Sequence, residues 1–366
     1  MSGSIPFTRL VESLPATIPF VGPEAIERRR GTLFDVRVGA NESAFGVSPK
    51  AVTAMTEAIA QAAWYGDPEG YELRDILARE HSVNINEVCL AGGIDELLGL
   101  TVRMLIEPGE PVVTSLGGYP TFNYQVAGYG GELHAVAYRD DHNDLDGLSE
   151  KVKETGAKLV YLANPDNPMG TCHDADAVRS FARSLPAGTI LLLDEAYVEF
   201  APPSTTYPME PDDASVLRMR TFSKAHGMAG ARIGYAVAND QHIVGFNKIR
   251  NHFAVNRIAQ AGAIASIADR TFIQGVVDEV ARGREEYYAM ASSLGLASVG
   301  SATNFVCVDV GAGDRARALL SKLETNGVFV RMPGVAPLDR CVRITVGTAP
   351  ERARVAEVLR EVLPTV

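Results

Sequence analysis

Apolar and polar residues follow one another along the chain in blocks that predict strands and helices in turn. Short apolar runs bounded by turn residues predict strands, and helical segments or long connections lie between most of them. Strands linked in this way favour a largely parallel sheet covered on both faces, which is an α/β fold. The predicted strands are residues 86–90, 111–115, 158–163, 190–193 and 233–237.

Two predicted helices have recognisable starts. Ser48-Pro49 combines an N-cap residue with proline at the first helical position, and Val52 and Met55 follow at helical spacing. Gly92-Gly93 breaks the strand at 86–90 and opens a second helix. The first N–H groups of that helix are free to bind an anion.

The pattern changes near residue 257, where long helical segments begin. We predict a large domain at 31–256 and a smaller α+β domain that combines 257–366 with an irregular, proline-containing N-terminal arm, 1–30. A polar, proline-rich segment at 201–213 predicts a loop. In the second part the predicted helices are 257–268, 271–294, 313–325 and 350–362, and the predicted strands are 304–310, 328–331 and 341–346.

Composition narrows the function to a folded protein with a small-molecule ligand. The chain has 366 residues, 46% apolar and 22% charged, which excludes general disorder. Its net charge of −11 argues against a broad nucleic-acid or anionic-membrane surface. No secretory leader and no bilayer-length apolar run is visible, so we expect a cytoplasmic protein. The four cysteines lack Cys-x-x-Cys spacing and predict free thiols, buried at Cys89, Cys307 and Cys341.

The stretch 221–235 carries the strongest candidate chemistry. Lys224 follows Thr221 and Ser223, and Arg232 comes after a glycine-rich loop. Hydroxyls and a guanidinium suit a phosphate group, and glycines let backbone approach a ligand closely. A lysine beside a phosphate site suggests pyridoxal phosphate. For this stretch alone, the alternative is a surface lysine in a glycine-rich turn.

Two further motifs follow predicted strands. Asp194 ends the apolar strand 190–193 and should lie at the rim of the sheet, where open α/β sheets bind ligands. A carboxylate there suits a pyridinium N–H, but an Asp at that position can also cap a helix or form a salt bridge. The Asn-Pro-Asp-Asn-Pro-Met-Gly segment at 164–170 follows the strand 158–163 and is either part of the same site or a structural turn.

Other motifs give little support to rival chemistries. Gly311-Ala312-Gly313-Asp314-Arg315-Ala316 matches the loose dinucleotide fingerprint Gly-x-Gly-x-x-Ala, but it lies late in the chain and lacks an acidic ribose partner at the expected place. The seven histidines show no paired metal-ligand spacing, and no serine-hydrolase or phosphate-loop motif is present. We therefore expect neither a nicotinamide cofactor nor a metal.

Taken together, Asn167, Asp194-x-x-Tyr197, Ser223-Lys224 and Arg232 resemble the active-site signature of fold-type I pyridoxal-phosphate aminotransferases of class I/II. Within that family the chain most resembles the histidinol-phosphate aminotransferase group. The resemblance implies a large domain with a mainly parallel seven-stranded sheet between helices, plus a smaller α+β domain. The segments that carry it span nearly the whole chain and include 41–46, 65–68, 92–96 and 342–348.

The resemblance also implies a role for each matching residue. Lys224 would form the internal aldimine with pyridoxal phosphate, Asp194 would pair with the ring nitrogen, and Tyr197 would bind the phenolic oxygen; these are the implied catalytic residues. The other implied cofactor contacts are Asn167 at the phenolic oxygen, Tyr119 on the ring face, Ile94, Asp95, Thr221, Ser223 and Arg232 at the phosphate, and Tyr65 across a homodimer interface. The implied substrate-binding residues are Arg343, Arg331 and Asn41.

Departures from the family pattern bear on the substrate. Asn41-Glu42-Ser43-Ala44 stands where family members usually have Asn-Glu-Asn-Pro, near the substrate side. We expect a ping-pong aminotransferase acting between an amino acid or histidinol phosphate and 2-oxoglutarate, within amino-acid metabolism and, for histidinol phosphate, histidine biosynthesis. The alternatives are a threonine-phosphate-type decarboxylase and a non-catalytic binding protein of the same fold.

Overall fold

The computed structural model describes residues 5–16 and 20–366, so residues 1–4 and 17–19 of the predicted arm lie outside the described residues. The strands are β1 (Val36–Arg37), β2 (Val88–Ala91), β3 (Pro111–Ser115), β4 (Glu132–Val136), β5 (Leu159–Ala163), β6 (Ile190–Asp194), β7 (Val216–Thr221), β8 (Gly234–Val237), β9 (Ala297–Ser298), β10 (Phe305–Asp309), β11 (Val328–Phe329) and β12 (Cys341–Thr345).

The helices extend along the whole described chain, including the N-terminal arm, so the expectation of an irregular arm is wrong there: Thr8 caps one short helix and Pro23 begins another. The helices are α1 (Arg9–Ser13), α2 (Pro23–Arg30), α3 (Pro49–Ile59), α4 (Tyr71–His81), α5 (Ile94–Leu105), α6 (Pro120–Gly128), α7 (Leu145–Thr155), α8 (Ala175–Ser184), α9 (Asp240–Ile249), α10 (Arg257–Ile267), α11 (Arg270–Ser293), α12 (Gly313–Thr325) and α13 (Ala349–Val362). Short 3₁₀ helices lie at Ile85–Glu87, Val198–Phe200, Pro203–Thr205, Ala229–Ala231, Leu338–Arg340 and Leu363–Thr365.

Seven strands form the central sheet in the order β2-β8-β7-β6-β5-β3-β4. All neighbouring pairs are parallel except those of β8, which runs antiparallel to both β2 and β7. The mainly parallel seven-stranded sheet expected from the resemblance is therefore confirmed. The hydrophobic pattern missed β4 and β7. Strand β4 is a half-exposed edge strand, and Arg218 and Arg220 interrupt the apolar run of β7.

Apolar side chains cover both faces of this sheet. Leu97 of α5, Phe122 of α6 and Phe246 of α9 pack on one face, whereas Leu148 of α7 and Phe181 of α8 pack on the other. Strands β5 and β6 send alternate residues into the two cores, as expected for strands buried on both sides. This burial fixes the register that brings the strand ends together.

The remaining strands form two small sheets. Strands β12, β10 and β9 make an antiparallel sheet, and β1 pairs in parallel with β11. Helix α11 packs on β10 and helix α12 packs on β12, and α13 contributes to the same apolar core, which is separate from those of the large sheet. The predicted strand at 328–331 ends earlier than expected, at Phe329, and Arg331 forms only an isolated bridge with Arg343. The division into 31–256 and 1–30 with 257–366 stays a prediction.

Candidate active site

A cavity of about 810 Å³ lies where β2, β5, β6 and β7 reach their carboxyl ends. The paired register of the strands brings these ends together, because Ala163 lies opposite Asp194 and Thr221 lies opposite Gly234. The cavity is lined by every predicted site residue except Tyr65, namely Asn41, Ile94, Asp95, Tyr119, Asn167, Asp194, Tyr197, Thr221, Ser223, Lys224, Arg232, Arg331 and Arg343.

Lys224 projects into this cavity from the loop after β7. Its Nζ donates a hydrogen bond to the Asn41 carbonyl oxygen at 2.9 Å and lies 5.6 Å from the centre of the Tyr197 ring. Burial, with a smaller contribution from the Arg343 guanidinium, lowers the pKa of Lys224 to about 8. The neutral, nucleophilic amine is therefore populated at a lower pH than in an ordinary lysine.

Asp194 ends β6 as a buried carboxylate held from two sides. Tyr161 donates its hydroxyl to Oδ2 at 2.8 Å, and the Ala196 N–H donates to Oδ1 at 3.0 Å. Burial raises the pKa of Asp194 to about 6, while these two hydrogen bonds act in the opposite direction. A cation placed next to Asp194 would favour its ionised form.

The N-terminus of α5 forms a cradle with the loop before β8. Gly93 has φ +93°, and a Cβ atom on it would lie 2.5 Å from Nη2 of Arg232, so only glycine leaves room for the guanidinium there. Arg232 also donates to Asp95 Oδ2 at 3.2 Å. The Thr221 and Ser223 hydroxyls lie beside the same cavity, 2.9 Å apart. A cation, free helix N–H groups and two hydroxyls fit a phosphate group.

Asn167 and Tyr197 are oriented by neighbours rather than by each other. Asn167 accepts a hydrogen bond from Arg343 through Oδ1, and Tyr197 accepts one from Asn41 Nδ2 at 3.0 Å. The loop that carries Asn167 is itself fixed by buried Asp166, which accepts hydrogen bonds from neighbouring side chains and from the Met169 N–H at 2.8 Å. The 164–170 segment is thus both a rigid turn and part of the cavity wall.

The guanidinium groups of Arg331 and Arg343 lie in the wall of the cavity. Arg331 and Arg343 are joined by backbone hydrogen bonds, and Arg331 also donates to the Val21 carbonyl oxygen at 2.6 Å. In residues 5–16 and 20–366, neither guanidinium has a carboxylate within 4.0 Å. Two cations without acidic partners in one wall suit an anionic substrate group.

Tyr65 lies outside the cavity. Its side chain is 77% exposed, and its ring centre lies 4.6 Å from that of Phe253, which is also exposed. This placement is compatible with the expected contact across a homodimer interface. It excludes a contact with the cavity of the same chain in this structure.

Sequence reasoning missed two buried residues next to the predicted site. Tyr161 lies within β5 and contacts Asp194, and Glu195 forms ion pairs with Arg218 and Arg220. Two arginines in an apolar run are a signal for a buried acidic partner. By contrast, Tyr161 carries no signal in the sequence alone, since its contact depends on strand register.

The comparison with protein families decides the class. A family model described as aminotransferase class I and II matches residues 35–360. The chain belongs to this family. The expected enzyme class, a transaminase, is thereby confirmed.

Members of the family with known structure or curated function resemble the chain along its full length. Histidinol-phosphate aminotransferase 1 of Psychrobacter arcticus is 32% identical, with 99% of this chain and 97% of that protein covered. The crystal structure of histidinol-phosphate aminotransferase from Sinorhizobium meliloti in complex with pyridoxal-5'-phosphate is 48% identical, with a TM-score of 0.96 and 100% and 99% of the two chains covered. Aspartate aminotransferase from Thermus thermophilus with maleate, 21% identical with a TM-score of 0.84 and full coverage of both chains, shows the same fold.

Three further observations on the aminotransferase concern metal ligands, membrane-spanning helices and cysteines. Across the described ranges, no three His, Cys, Asp or Glu side chains are grouped so that they could hold a metal ion. No helix of the described chain is long and apolar enough to cross a membrane. The four cysteines are free thiols, and Cys89, Cys307 and Cys341 are buried as predicted.

Proposed function

We propose that this chain is a pyridoxal-phosphate-dependent aminotransferase that moves an amino group between histidinol phosphate, or an amino acid, and 2-oxoglutarate. The main support is the convergence of three groups in one cavity: Lys224 with a lowered pKa, the buried carboxylate of Asp194, and Arg232 at the N-terminus of α5. The similarity to histidinol-phosphate aminotransferases supports the phosphorylated substrate and a role in histidine biosynthesis.

The residues around the cavity fit the cofactor group by group. Arg232, the α5 N–H groups and the two hydroxyls would hold its phosphate, and Tyr119 would lie on its ring. Asp194 would keep a proton on the ring nitrogen, because an anion beside that nitrogen favours its cationic form. Pyridoxal phosphate then supplies an electron sink that stabilises negative charge on the substrate carbon.

Lys224 would move the proton that transamination requires. A general base works best when its pKa lies near the working pH, and the pKa of Lys224 is lowered to about 8. The Asn41 carbonyl oxygen holds Nζ in place at 2.9 Å. The Tyr197 hydroxyl and the Asn167 amide would lie at the same end of the cavity and orient the reacting group.

Arg343 and Arg331 would select the substrates. Arg343 would bind the carboxylate of glutamate or 2-oxoglutarate, for which a guanidinium fork is well suited. Histidinol phosphate has no carboxylate, so in the other half-reaction the same wall would bind its phosphate, with Arg331 adding a second cation. The Asn41 side chain is occupied by Tyr197 and Thr345, so we propose that Asn41 acts mainly by holding Tyr197 and Lys224.

Assembly as a homodimer would complete the site. The exposed Tyr65 ring packs on exposed Phe253, and Trp64 and Tyr71 of the same part of the sequence are exposed as well. Exposed aromatic side chains of this kind suit an interface with a second copy of the chain. Across that interface Tyr65 would reach the phosphate of the neighbouring site. We also propose a cytoplasmic location, which the free thiols favour because disulfides are rare in that compartment.

One panel of reactions tests the proposal. The purified enzyme with bound cofactor is given 2-oxoglutarate together with histidinol phosphate or an aromatic, basic or aliphatic amino acid, and glutamate and carbon dioxide are measured. We expect glutamate from histidinol phosphate and none from the Lys224→Ala variant. Glutamate from amino acids alone would refute the substrate, whereas carbon dioxide without glutamate would refute transamination.

A further inference from the structure

Tyr161 is a buried tyrosine whose hydroxyl has one partner in the described chain, the carboxylate of Asp194. The distance to Oδ2 is 2.8 Å. The ring stacks on Phe122, with 4.5 Å between ring centres and 15° between ring planes. The ring is therefore held by packing, and the hydroxyl is aimed at one oxygen of Asp194.

The strand register explains how a residue in the middle of β5 reaches the end of β6. Tyr161 lies opposite Leu192, and Ala163, two residues later, lies opposite Asp194. Tyr161 and Asp194 are thus diagonal neighbours on one face of the sheet, a separation that a long side chain spans. Both Tyr161 and Ala163 line the cavity.

Few other groups near Asp194 stabilise the ionised form of its carboxylate. The ionisable groups that face it are Tyr161 from β5, Asp95 from α5, and Glu195 and Tyr197 from its own segment. Burial raises the pKa of Asp194 most, and the charges of Asp95 and Glu195 raise it further. The nearby arginines, Arg218 and Arg220, form ion pairs with Glu195. Among side chains, the Tyr161 hydroxyl is the group that lowers the pKa of Asp194.

We propose that Tyr161 is a positioning residue that orients the Asp194 carboxylate toward the ring nitrogen of the cofactor and stabilises its ionised form. The inference rests on the proposed cofactor and adds a residue to its support. Tyr161 would act through Asp194 and would contact neither substrate nor the reacting atoms. Loss of the hydroxyl would leave Asp194 anchored only by the Ala196 N–H and more readily protonated.

The test measures the affinity of the cofactor-free protein for pyridoxal phosphate between pH 5.5 and pH 8.5. Tyr161→Phe keeps the ring stacked on Phe122 and removes only the hydroxyl. Tyr235→Phe is the matched control, because Tyr235 is another buried tyrosine, its hydroxyl is hydrogen-bonded to Nε2 of His81 at 2.8 Å, and neither residue lines the cavity. Thermal unfolding of both cofactor-free variants reports the loss of packing or folding.

We expect Tyr161→Phe to lose affinity increasingly as the pH falls, by about tenfold near pH 6, which corresponds to one hydrogen bond to a carboxylate. The sign follows from linkage. Without the hydroxyl the pKa of Asp194 in the cofactor-free protein rises, so Asp194 is already protonated at a higher pH. Cofactor binding must then remove that proton, which weakens binding as the pH falls. The phosphate also titrates near pH 6, but equally in all three proteins. The ratio of the variant's affinity to the wild-type affinity therefore reports the ionisation of Asp194 without that of the phosphate.

A ratio for Tyr161→Phe that is close to one, or that is the same at every pH, would overturn the proposal, because a purely structural tyrosine gives no pH-dependent loss. So would an equal pH-dependent loss in Tyr235→Phe. If the wild-type protein takes up no pyridoxal phosphate, the proposed function fails together with this inference. If wild type binds normally and the ratio stays constant, this inference alone fails.

Discussion

Gly227 should be the least replaceable glycine in the loop that carries Lys224. Its φ is +70°, in the left-handed region, and a Cβ atom on it would lie 1.9 Å from the carbonyl oxygen of Gly46 and 2.7 Å from the carbonyl carbon. Both contacts are with backbone, so no side-chain rotation can relieve them. Gly227→Ala must therefore push the 224–232 loop away from the segment around Gly46.

The size of the effect follows from two contributions. A non-glycine residue in the left-handed region costs about 1–2 kcal/mol. Displacing well-packed neighbours costs about 1–3 kcal/mol more. We therefore expect Gly227→Ala to lower the free energy of unfolding by about 2–5 kcal/mol, measured by urea titration of the cofactor-free protein.

Gly230→Ala is the matched control in the same loop. A Cβ atom at Gly230 would meet nothing within 4 Å, and its φ lies outside the left-handed region. We expect its free energy of unfolding to stay within about 0.5 kcal/mol of wild type. Equal losses in the two variants, or a loss below about 0.5 kcal/mol in Gly227→Ala, would refute the argument from backbone contact.

Three further predictions concern the site. Arg331→Gln should raise the KM for histidinol phosphate by about 10- to 100-fold and the KM for 2-oxoglutarate much less, as expected for loss of a charge-assisted hydrogen bond to phosphate. Arg343→Gln should raise the KM for both substrates. Steady-state kinetics in which the two variants change both KM values equally would contradict this division of roles. Tyr65→Ala mixed with Lys224→Ala should regain activity by forming sites with one intact residue from each subunit, and no gain after confirmed subunit exchange would exclude a shared site. In the cofactor-free protein, labelling of Lys224 by an amine reagent, read by mass spectrometry, should rise about tenfold per pH unit and level off above about pH 8, because burial lowers its pKa. A rise that continues past pH 10 would show an ordinary lysine.

Topology explains why most of the candidate site could be predicted from the sequence. Asp194 ends β6, Asn167 follows β5, and Ile94 follows β2 through two glycines. In a parallel sheet the carboxyl ends of neighbouring strands meet at one edge, so motifs that directly follow predicted strands converge without knowledge of side-chain packing. Residue roles nevertheless came from the family resemblance, because a carboxylate at a strand end has several structural uses.

The glycines after Lys224 show where this reasoning was incomplete. We expected them to let the chain approach the cofactor, but Gly227 instead allows contact with the Gly46 backbone. Gly234 similarly allows β8 to lie against the backbone of Gly93 and Ile94, and only Gly230 lines the cavity. Glycine spacing predicts close approach, but the partner of that approach depends on tertiary packing.

Tyr161 shows a stricter limit on prediction from sequence. A residue at a strand end is placed by topology alone, whereas Tyr161 reaches Asp194 only because β5 and β6 pair with Ala163 opposite Asp194. A shift of the register by one residue would turn the Tyr161 ring to the other face of the sheet, into the core around Leu148. In the sequence the same tyrosine is one apolar residue in the run 158–163. Residues that act on a cofactor through another side chain are therefore found only once the register is known, and they are the ones that motif matching omits.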